Sequence, residues 1–195
     1  MAILDEPIAL DPAAGGGRCI PDTELNPADI IVSTTKANIS RGIRIGTGAK
    51  VSHAALYAGN GSIIEAIGEG VVSHSVDLAL ADDVLAVAYR SPNMTPEIAD
   101  RIVRYASSKI GAPYSIRGAV MSTDMVMCRI VGSKPATFFC SQLVIEAYKQ
   151  GGRPLSNSPA QCVTPDDLVS IARNKLVYVG HLLGNPSWFP VIAPN

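Results

Sequence analysis

The segment from Val51 to Ala66 constrains the fold of this chain more than any other. It contains two short apolar runs, VSHAALYA and SIIEA, separated by the triplet Gly59-Asn60-Gly61. Glycine and asparagine tolerate the backbone conformations of tight turns, so this pattern is typical of a β-hairpin. We therefore expect an antiparallel sheet in the centre of the domain.

One ionisable residue interrupts the apolar pattern on each arm of this hairpin. If the hairpin is centred on Gly59, His53 lies directly opposite Glu65, because each is six residues from the centre. Opposed residues share a face with Cβ atoms about 5 Å apart, so the carboxylate can hold one imidazole nitrogen and leave the other free for a proton. A one-residue bulge in the turn would shift this register. Taken separately, His53 fits a satisfied core histidine and Glu65 an edge-strand charge.

A third residue, Cys140, lies in the sequence TFFCSQLVIEAY, which predicts the first turn of a buried helix. A thiol there is close to the partial positive charge and unpaired N–H groups of the helix start. Both favour the thiolate, the form that attacks carbonyl carbon. Taken alone, Cys140 fits a small buried hydrophobe, as most buried cysteines do. Together with His53 and Glu65, it predicts a cysteine–histidine–acid site.

Periodicity and capping signals predict the remaining elements. The predicted strands are 29–33, 51–58, 62–67, 70–76, 85–89 and 176–183. The predicted helices are 35–45, 95–110, 114–127, 138–150 and one that opens at Thr164. An antiparallel sheet with segregated helices is an α+β fold. We assign residues 1–26 to an extended N-terminal arm, 27–183 to the catalytic domain and 184–195 to a C-terminal tail.

The order of histidine, glutamate on the next strand and cysteine on a later helix resembles the circularly permuted NlpC-type peptidases. These are papain-like cysteine hydrolases, and the branch with this order is the YiiX/YebB-like one. The matching motifs are Pro27-Ala28-Asp29-Ile30-Ile31, Ser52-His53, Gly59-Asn60-Gly61, Ile64-Glu65-Ala66, Gly111-Ala112-Pro113-Tyr114, Phe139-Cys140-Ser141-Gln142-Leu143 and Thr164-Pro165-Asp166-Asp167-Leu168. They span about residues 26 to 183, and the chain departs from the family where Ala28 replaces a turn glycine.

The resemblance implies a permuted papain-like fold, in which an antiparallel sheet or small barrel packs against helices. It also implies that Cys140 is the nucleophile, His53 the base and Glu65 the residue that orients the histidine. An oxyanion is stabilised in such enzymes by preorganised donors. The N–H of Cys140 is one candidate donor, and Tyr114 is another by resemblance, although a packed aromatic side chain explains Tyr114 equally well.

Other polar residues have weaker claims. Ser52 and Gln142 are lower-ranked candidates for contact with the oxyanion or the substrate. His74 and His181 are reserve candidates for the base, but neither has a comparably placed acid in the sequence, so we expect structural roles for both.

The four cysteines give no metal signature. Cys19, Cys128, Cys140 and Cys162 are not paired at the short spacing of metal sites, and the sequence leaves their disulfide status open. We expect Cys19 and Cys162 to be spectators and the enzyme to use neither a metal nor another cofactor.

Charge and hydropathy limit the partners. The formal net charge of −1 gives no long-range attraction to nucleic acid or to an anionic membrane. No run approaches the ~20 apolar residues of a membrane helix, and the N-terminus, with Asp5 and Glu6, does not resemble a Sec signal. We expect a protein without stable membrane insertion, cytoplasmic in its producer or delivered by a specialised secretion system to a target periplasm.

The resemblance implies hydrolysis of an amide bond through an acyl-enzyme. Cell-wall peptide is the substrate most often associated with the wider family, so a peptidoglycan endopeptidase or amidase is the main hypothesis. The missing export signal adds a second one, an antibacterial toxin neutralised by a cognate immunity protein. Two alternatives stay open: a lipid-directed thioesterase or acyltransferase, whose relatives carry a second histidine where this chain has Glu65, and a noncatalytic binding module on the same fold.

Overall fold

Seven β-strands of the chain form one sheet in the computed structural model, which describes residues 19–35, 51–114 and 139–182. The strands are β1 (Cys19–Ile20), β2 (Ile30–Thr35), β3 (His53–Gly59), β4 (Ser62–Ile67), β5 (Gly70–Ser75), β6 (Asp83–Arg90) and β7 (Val177–Leu182). Their order across the sheet is β1-β7-β6-β2-β3-β4-β5. All neighbours are antiparallel except β1 and β7, which are parallel.

The β3–β4 hairpin has the predicted turn but not the predicted register. Gly59, Asn60 and Gly61 all adopt positive φ angles, of 98°, 51° and 69°, which explains this choice of residues. The register shifts beside Gly59, so the paired residues are centred on Asn60 and Glu65 lies opposite Ala55. The prediction that His53 lies directly opposite Glu65 is therefore wrong by two residues. Because side chains alternate with a period of two, this slip leaves both residues on the same face.

Four α-helices lie among the described residues: α1 (Val76–Leu80), α2 (Pro96–Ser107), α3 (Cys140–Gln150) and α4 (Pro165–Lys175). Short 3₁₀ turns cover Asp22–Glu24 and Ala160–Cys162. The predicted helices that open at Thr95 and Thr164 are confirmed, and both threonines cap their helix through the side chain. Helix α1 was not predicted, because its five residues are too few for a periodic signal.

The two faces of the sheet are covered by different elements. One face contributes Ala54, Leu56 and Ile64 to a core shared with α2, α3 and α4, in which Leu143 and Val144 are fully buried. The alternate residues of the same strands form a second core with α1. Burial of a leucine or valine side chain stabilises the fold by about 1.5–3 kcal/mol. The α3 face is therefore held in place mainly by apolar packing.

The architecture confirms the predicted α+β fold, an antiparallel sheet packed against helices. The six predicted strands are present to within two residues at each end. The predicted helices at 35–45 and 114–127 fall, apart from their first residues, outside the described part of the chain, as does the tail at 184–195. Within the predicted arm, β1 joins the sheet beside β7, while residues 1–18 lie outside the described part. The domain boundaries stay a prediction.

Candidate active site

Cys140 is the first residue of α3, where the helix start is left open. The other three described helices each begin with a side-chain cap, from Ser75, Thr95 and Thr164, and carry acidic residues in the first turn. The residue before α3 is Phe139, which provides no cap, and the first turn of α3 has no acidic residue. Phe139 therefore does not occupy the N–H groups of this turn, and N–H groups at a helix start can stabilise an anion. Cys140 itself is a buried free thiol.

His53, the first residue of β3, links Cys140 to Glu65. The Cys140 side chain lies close enough to raise the pKa of His53, and Nε2 of His53 lies 2.6 Å from Oε2 of Glu65. A carboxylate only accepts hydrogen bonds, so Nε2 donates and Nδ1 is the nitrogen left for the thiol. Burial alone would lower the pKa of His53, but the hydrogen bonds to Cys140 and Glu65 raise it to about 10. The imidazole therefore holds its proton at neutral pH, as a thiolate–imidazolium pair requires.

Glu65 is buried on β4, and two histidines hold its carboxylate. Oε2 accepts from His53, and Oε1 lies 2.9 Å from Nδ1 of His74 on β5. Burial would raise the pKa of Glu65, yet the hydrogen bonds from His53 and His74 lower it. Glu65 is therefore ionised at neutral pH despite being only 4% exposed.

The prediction that His74 has no comparably placed acid is wrong. Val72 on β5 pairs with Glu65 on β4, and His74 follows Val72 by two residues, so the His74 side chain lies on the same face of the sheet as the Glu65 carboxylate. This relation was present in the sequence, but finding it needed the β4–β5 register in addition to the hairpin. His181, the other reserve histidine, lies on β7 with Nδ1 2.5 Å from the Tyr178 hydroxyl.

Asp83 is a further ionisable residue near the site and was not among the predicted site residues. It begins β6, is 5% exposed, and interacts electrostatically with both His53 and Glu65. Burial raises the pKa of Asp83 to about 6, although a hydrogen bond with Ser33 acts in the opposite direction. Its Oδ1 has no hydrogen-bond partner among the described residues. An aspartate before an apolar strand was visible in the sequence, but its neighbours depend on the β2–β6 pairing.

Of the weaker candidates, the structure places Tyr114 near Cys140. Tyr114 is half-buried, and burial together with the charge of Cys140 raises the pKa of its hydroxyl. Ser52 and Gln142 are both buried, and each has a hydrogen bond to a residue outside the Cys140–His53–Glu65 cluster. Ser52 Oγ lies 3.2 Å from the hydroxyl of Thr34, and Nε2 of Gln142 donates over 2.8 Å to the Glu146 carboxylate one turn along α3.

The other three cysteines have no assigned role in this site. Cys19 is exposed and free, Cys162 is disulfide-bonded, and Cys128 lies outside the described residues.

Within 19–35, 51–114 and 139–182, no group of three or more histidine, cysteine or acidic side chains is arranged to hold a metal ion. In the same ranges, no helix has the length and apolar character needed to span a membrane.

Residues 24–158 match the family of permuted papain-like amidase enzymes described as YaeF/YiiX, C92. The match covers more than half of the chain, which therefore belongs to this family of cysteine peptidases and amidases. The probable lipoprotein peptidase YaeF of Escherichia coli strain K12 is 26% identical, over 82% of this chain and 71% of that protein. The crystal structure of the metalloprotein yiiX from Escherichia coli O157:H7 has a TM-score of 0.53 and 16% identity, covering 85% of this chain and 92% of that one. This second likeness concerns the fold.

Proposed function

We propose that the chain hydrolyses an amide bond with Cys140 as nucleophile, His53 as proton carrier and Glu65 as the residue that orients His53. The observation that supports this assignment is the placement of His53 between Cys140 and Glu65, where both neighbours raise the pKa of its imidazole and the Glu65 carboxylate lies 2.6 Å from its Nε2. Each of the three residues lies on a different element, so packing of α3 on the sheet is what brings them together. This is the arrangement of an activated nucleophile with a base and an orienting group.

The proposed reaction has two stages. The Cys140 thiolate attacks the carbonyl carbon, a C–S bond forms, and the N–H groups at the start of α3 stabilise the oxyanion. His53 then gives its proton to the departing amine as the C–N bond breaks, which leaves an acyl-enzyme. In the second stage, His53 takes a proton from water, the resulting hydroxide equivalent attacks the acyl carbon, and the C–S bond breaks to restore the thiolate.

Peptide amides of the bacterial cell wall are the proposed substrate, and NlpC-type chemistry of the YiiX/YebB-like branch is the proposed subclass. Membership in a family of amidases supports the reaction type. The exposed fraction of the His53 side chain, 23%, supports access from solvent, because a polymeric substrate reaches a site only at the surface.

A narrower form of this proposal is an antibacterial effector that is delivered to a target periplasm and neutralised by a cognate immunity protein. It is tested by directing the protein to the periplasm of a susceptible bacterium. Lysis by the wild type and survival with Cys140→Ala support the effector role, whereas survival with both variants contradicts it.

Thiol labelling tests the catalytic assignment, and the exposed Cys19 serves as an internal reference. At pH 6 an ordinary thiol of pKa about 8.5 is roughly 0.3% thiolate. If Cys140 is fully thiolate, its reactive fraction is about 300 times that of such a thiol. A thiolate of low pKa is a weaker nucleophile, which reduces this advantage about tenfold. We expect iodoacetamide to modify Cys140 about tenfold or more faster than Cys19 at pH 6, measured by peptide mass spectrometry.

His53→Ala should remove this advantage, and Glu65→Gln should reduce it. A wild-type Cys140 that reacts no faster than Cys19 contradicts the hydrolase proposal. The substrate is tested by mass analysis of fragments from isolated wall sacculi digested with wild type and with Cys140→Ala. New amine ends with the wild type alone support wall amidase activity, and unchanged sacculi contradict this choice of substrate.

A further inference from the structure

We propose that His74 is a positioning residue of the active site, which acts through Glu65 to hold the imidazole of His53 in place. The inference rests on the proposed function, because it assigns a role to Glu65 in the Cys140–His53 pair. Its own basis is the second hydrogen bond on the Glu65 carboxylate.

The sheet places the two histidines symmetrically about Glu65. Across β3 the residue opposite Glu65 is Ala55, and His53 lies two residues before it. Across β5 the opposite residue is Val72, and His74 lies two residues after it. Both histidines are therefore diagonal neighbours of the carboxylate on one face, at a separation that long side chains bridge. They approach it from opposite directions along β4, one on each oxygen.

The donor pattern follows from the chemistry of the carboxylate. Ionised Glu65 can only accept, so His74 donates from Nδ1 just as His53 donates from Nε2. With both oxygens bonded, the carboxylate cannot rotate about its terminal bond without breaking two charge-assisted hydrogen bonds. His74 thus keeps Oε2 directed at His53, and it also helps keep Glu65 ionised, since its hydrogen bond lowers the pKa of that carboxyl.

Loss of the His74 donor leaves one oxygen of a buried charged group unpaired. The Glu65 side chain is only 6% exposed, so solvent is a poor substitute for the missing donor. Asp83 also lies within electrostatic range of Glu65 and His53, and it becomes more negative as the pH rises through about 6. Without the His74 donor, ionised Glu65 is less stable and supports protonated His53 less well, so we expect Cys140 to be less reactive at pH 6 in such a variant than in the wild type.

The test compares the rate of Cys140 alkylation between pH 5 and 9 in three variants. His74→Leu removes the donor at similar volume, and His74→Asn keeps an N–H donor close to the position of Nδ1. Ser73→Ala, at an exposed neighbouring position that points to the other face, is the matched control. We expect His74→Leu to lower the rate at pH 6 about tenfold, the usual effect of removing a hydrogen bond to a charged group. His74→Asn should stay within about threefold of the wild type, and Ser73→Ala should match it.

Two results overturn the proposal. One is a His74→Leu profile that superimposes on that of the wild type, even if its melting temperature falls, because a purely structural residue would behave in this way. The other is equal loss in His74→Leu and His74→Asn, since the donor would then be irrelevant. If His74→Leu does not fold, ¹⁵N–¹H spectroscopy of the wild-type histidines decides: a neutral His74 that carries its proton on Nε2 contradicts the proposal, and one protonated on Nδ1 supports it.

The same assay separates failure of this inference from failure of the proposed function. If wild-type Cys140 does not react faster than Cys19 at pH 6, the hydrolase assignment fails before His74 is considered. If wild-type Cys140 is activated and the His74 variants change nothing, the Cys140–His53–Glu65 assignment stands and only the role of His74 is rejected.

Discussion

Replacement of Asp83 by asparagine should stabilise the protein at neutral pH. The carboxyl is buried, and within the described residues one of its oxygens has no hydrogen-bond partner, so ionisation of Asp83 in the folded state is costly. Burial raises the pKa of Asp83 from the ordinary 3.8 to about 6 in the folded protein. Asparagine keeps the shape of the side chain and never ionises.

The magnitude and sign follow from proton linkage. Well below pH 3.8 Asp83 is protonated in both the folded and unfolded states, so its ionisation costs nothing. Between pH 4 and 6 the unfolded chain loses this proton while the folded chain retains it, and the free energy of unfolding decreases by about 1.4 kcal/mol per pH unit. Above pH 6 both states are ionised and the penalty is constant. The rise from 3.8 to about 6 therefore corresponds to about 3 kcal/mol.

The assay is urea unfolding of the wild type and Asp83→Asn, followed by circular dichroism at several pH values from 4 to 8. The difference in unfolding free energy should be near zero at pH 4 and should grow to about 3 kcal/mol in favour of Asp83→Asn at pH 7. The exposed neighbour Asp82 provides the control, because Asp82→Asn should change the free energy by less than about 0.5 kcal/mol at every pH. A difference between Asp83→Asn and the wild type that does not vary with pH, or that decreases as pH rises, would refute the reasoning.

Two further predictions concern the ion pair between Arg90 and Asp29 and the close contact of Gly70 with the backbone of Ala112. Arg90→Met should lower the free energy of unfolding by about 3 kcal/mol, because it leaves Asp29, 1% exposed, without its bidentate partner. Arg104→Met, which breaks an exposed pair within one helix, should cost less than about 0.5 kcal/mol in the same urea assay, and equal losses would contradict the argument. Gly70→Ala should lower the melting temperature strongly, because Gly70 has φ of 120° and its new Cβ would lie 2.7 Å from a backbone carbonyl oxygen. Gly68→Ala, which meets no atom within 4 Å, should leave the melting temperature within a few degrees, and a larger loss there than at position 70 would show that steric contact is not the cause.

The open start of α3 illustrates a compromise between stability and chemistry. A side-chain cap is worth about 1 kcal/mol, and the other described helices have one. A cap at the start of α3 would occupy the N–H groups that the proposed mechanism assigns to the thiolate and the oxyanion. The helix instead depends on buried residues such as Leu143 and Val144.

The local parts of the site were predictable from the sequence because local rules govern them. The positive φ angles of the hairpin turn require Gly59-Asn60-Gly61, so the turn, its two strands and the shared face of His53 and Glu65 follow from residue type and alternation. The helix after Cys140 follows from its apolar periodicity. His53 and Glu65 share a face as predicted although the predicted register was wrong, because the register error was two residues and side chains alternate with a period of two.

Only the tertiary structure decided which side chains meet across different elements. The second hydrogen bond on Glu65 needs the pairing of β5 with β4, and the burial of Asp83 beside the site needs the pairing of β6 with β2. Cys140 reaches His53 only through packing of α3 on the sheet, across 87 positions of the sequence. Turns and helix starts are set by short-range sterics and hydrogen bonds, whereas these contacts depend on the closure of long loops around a common core, which no short stretch of sequence encodes.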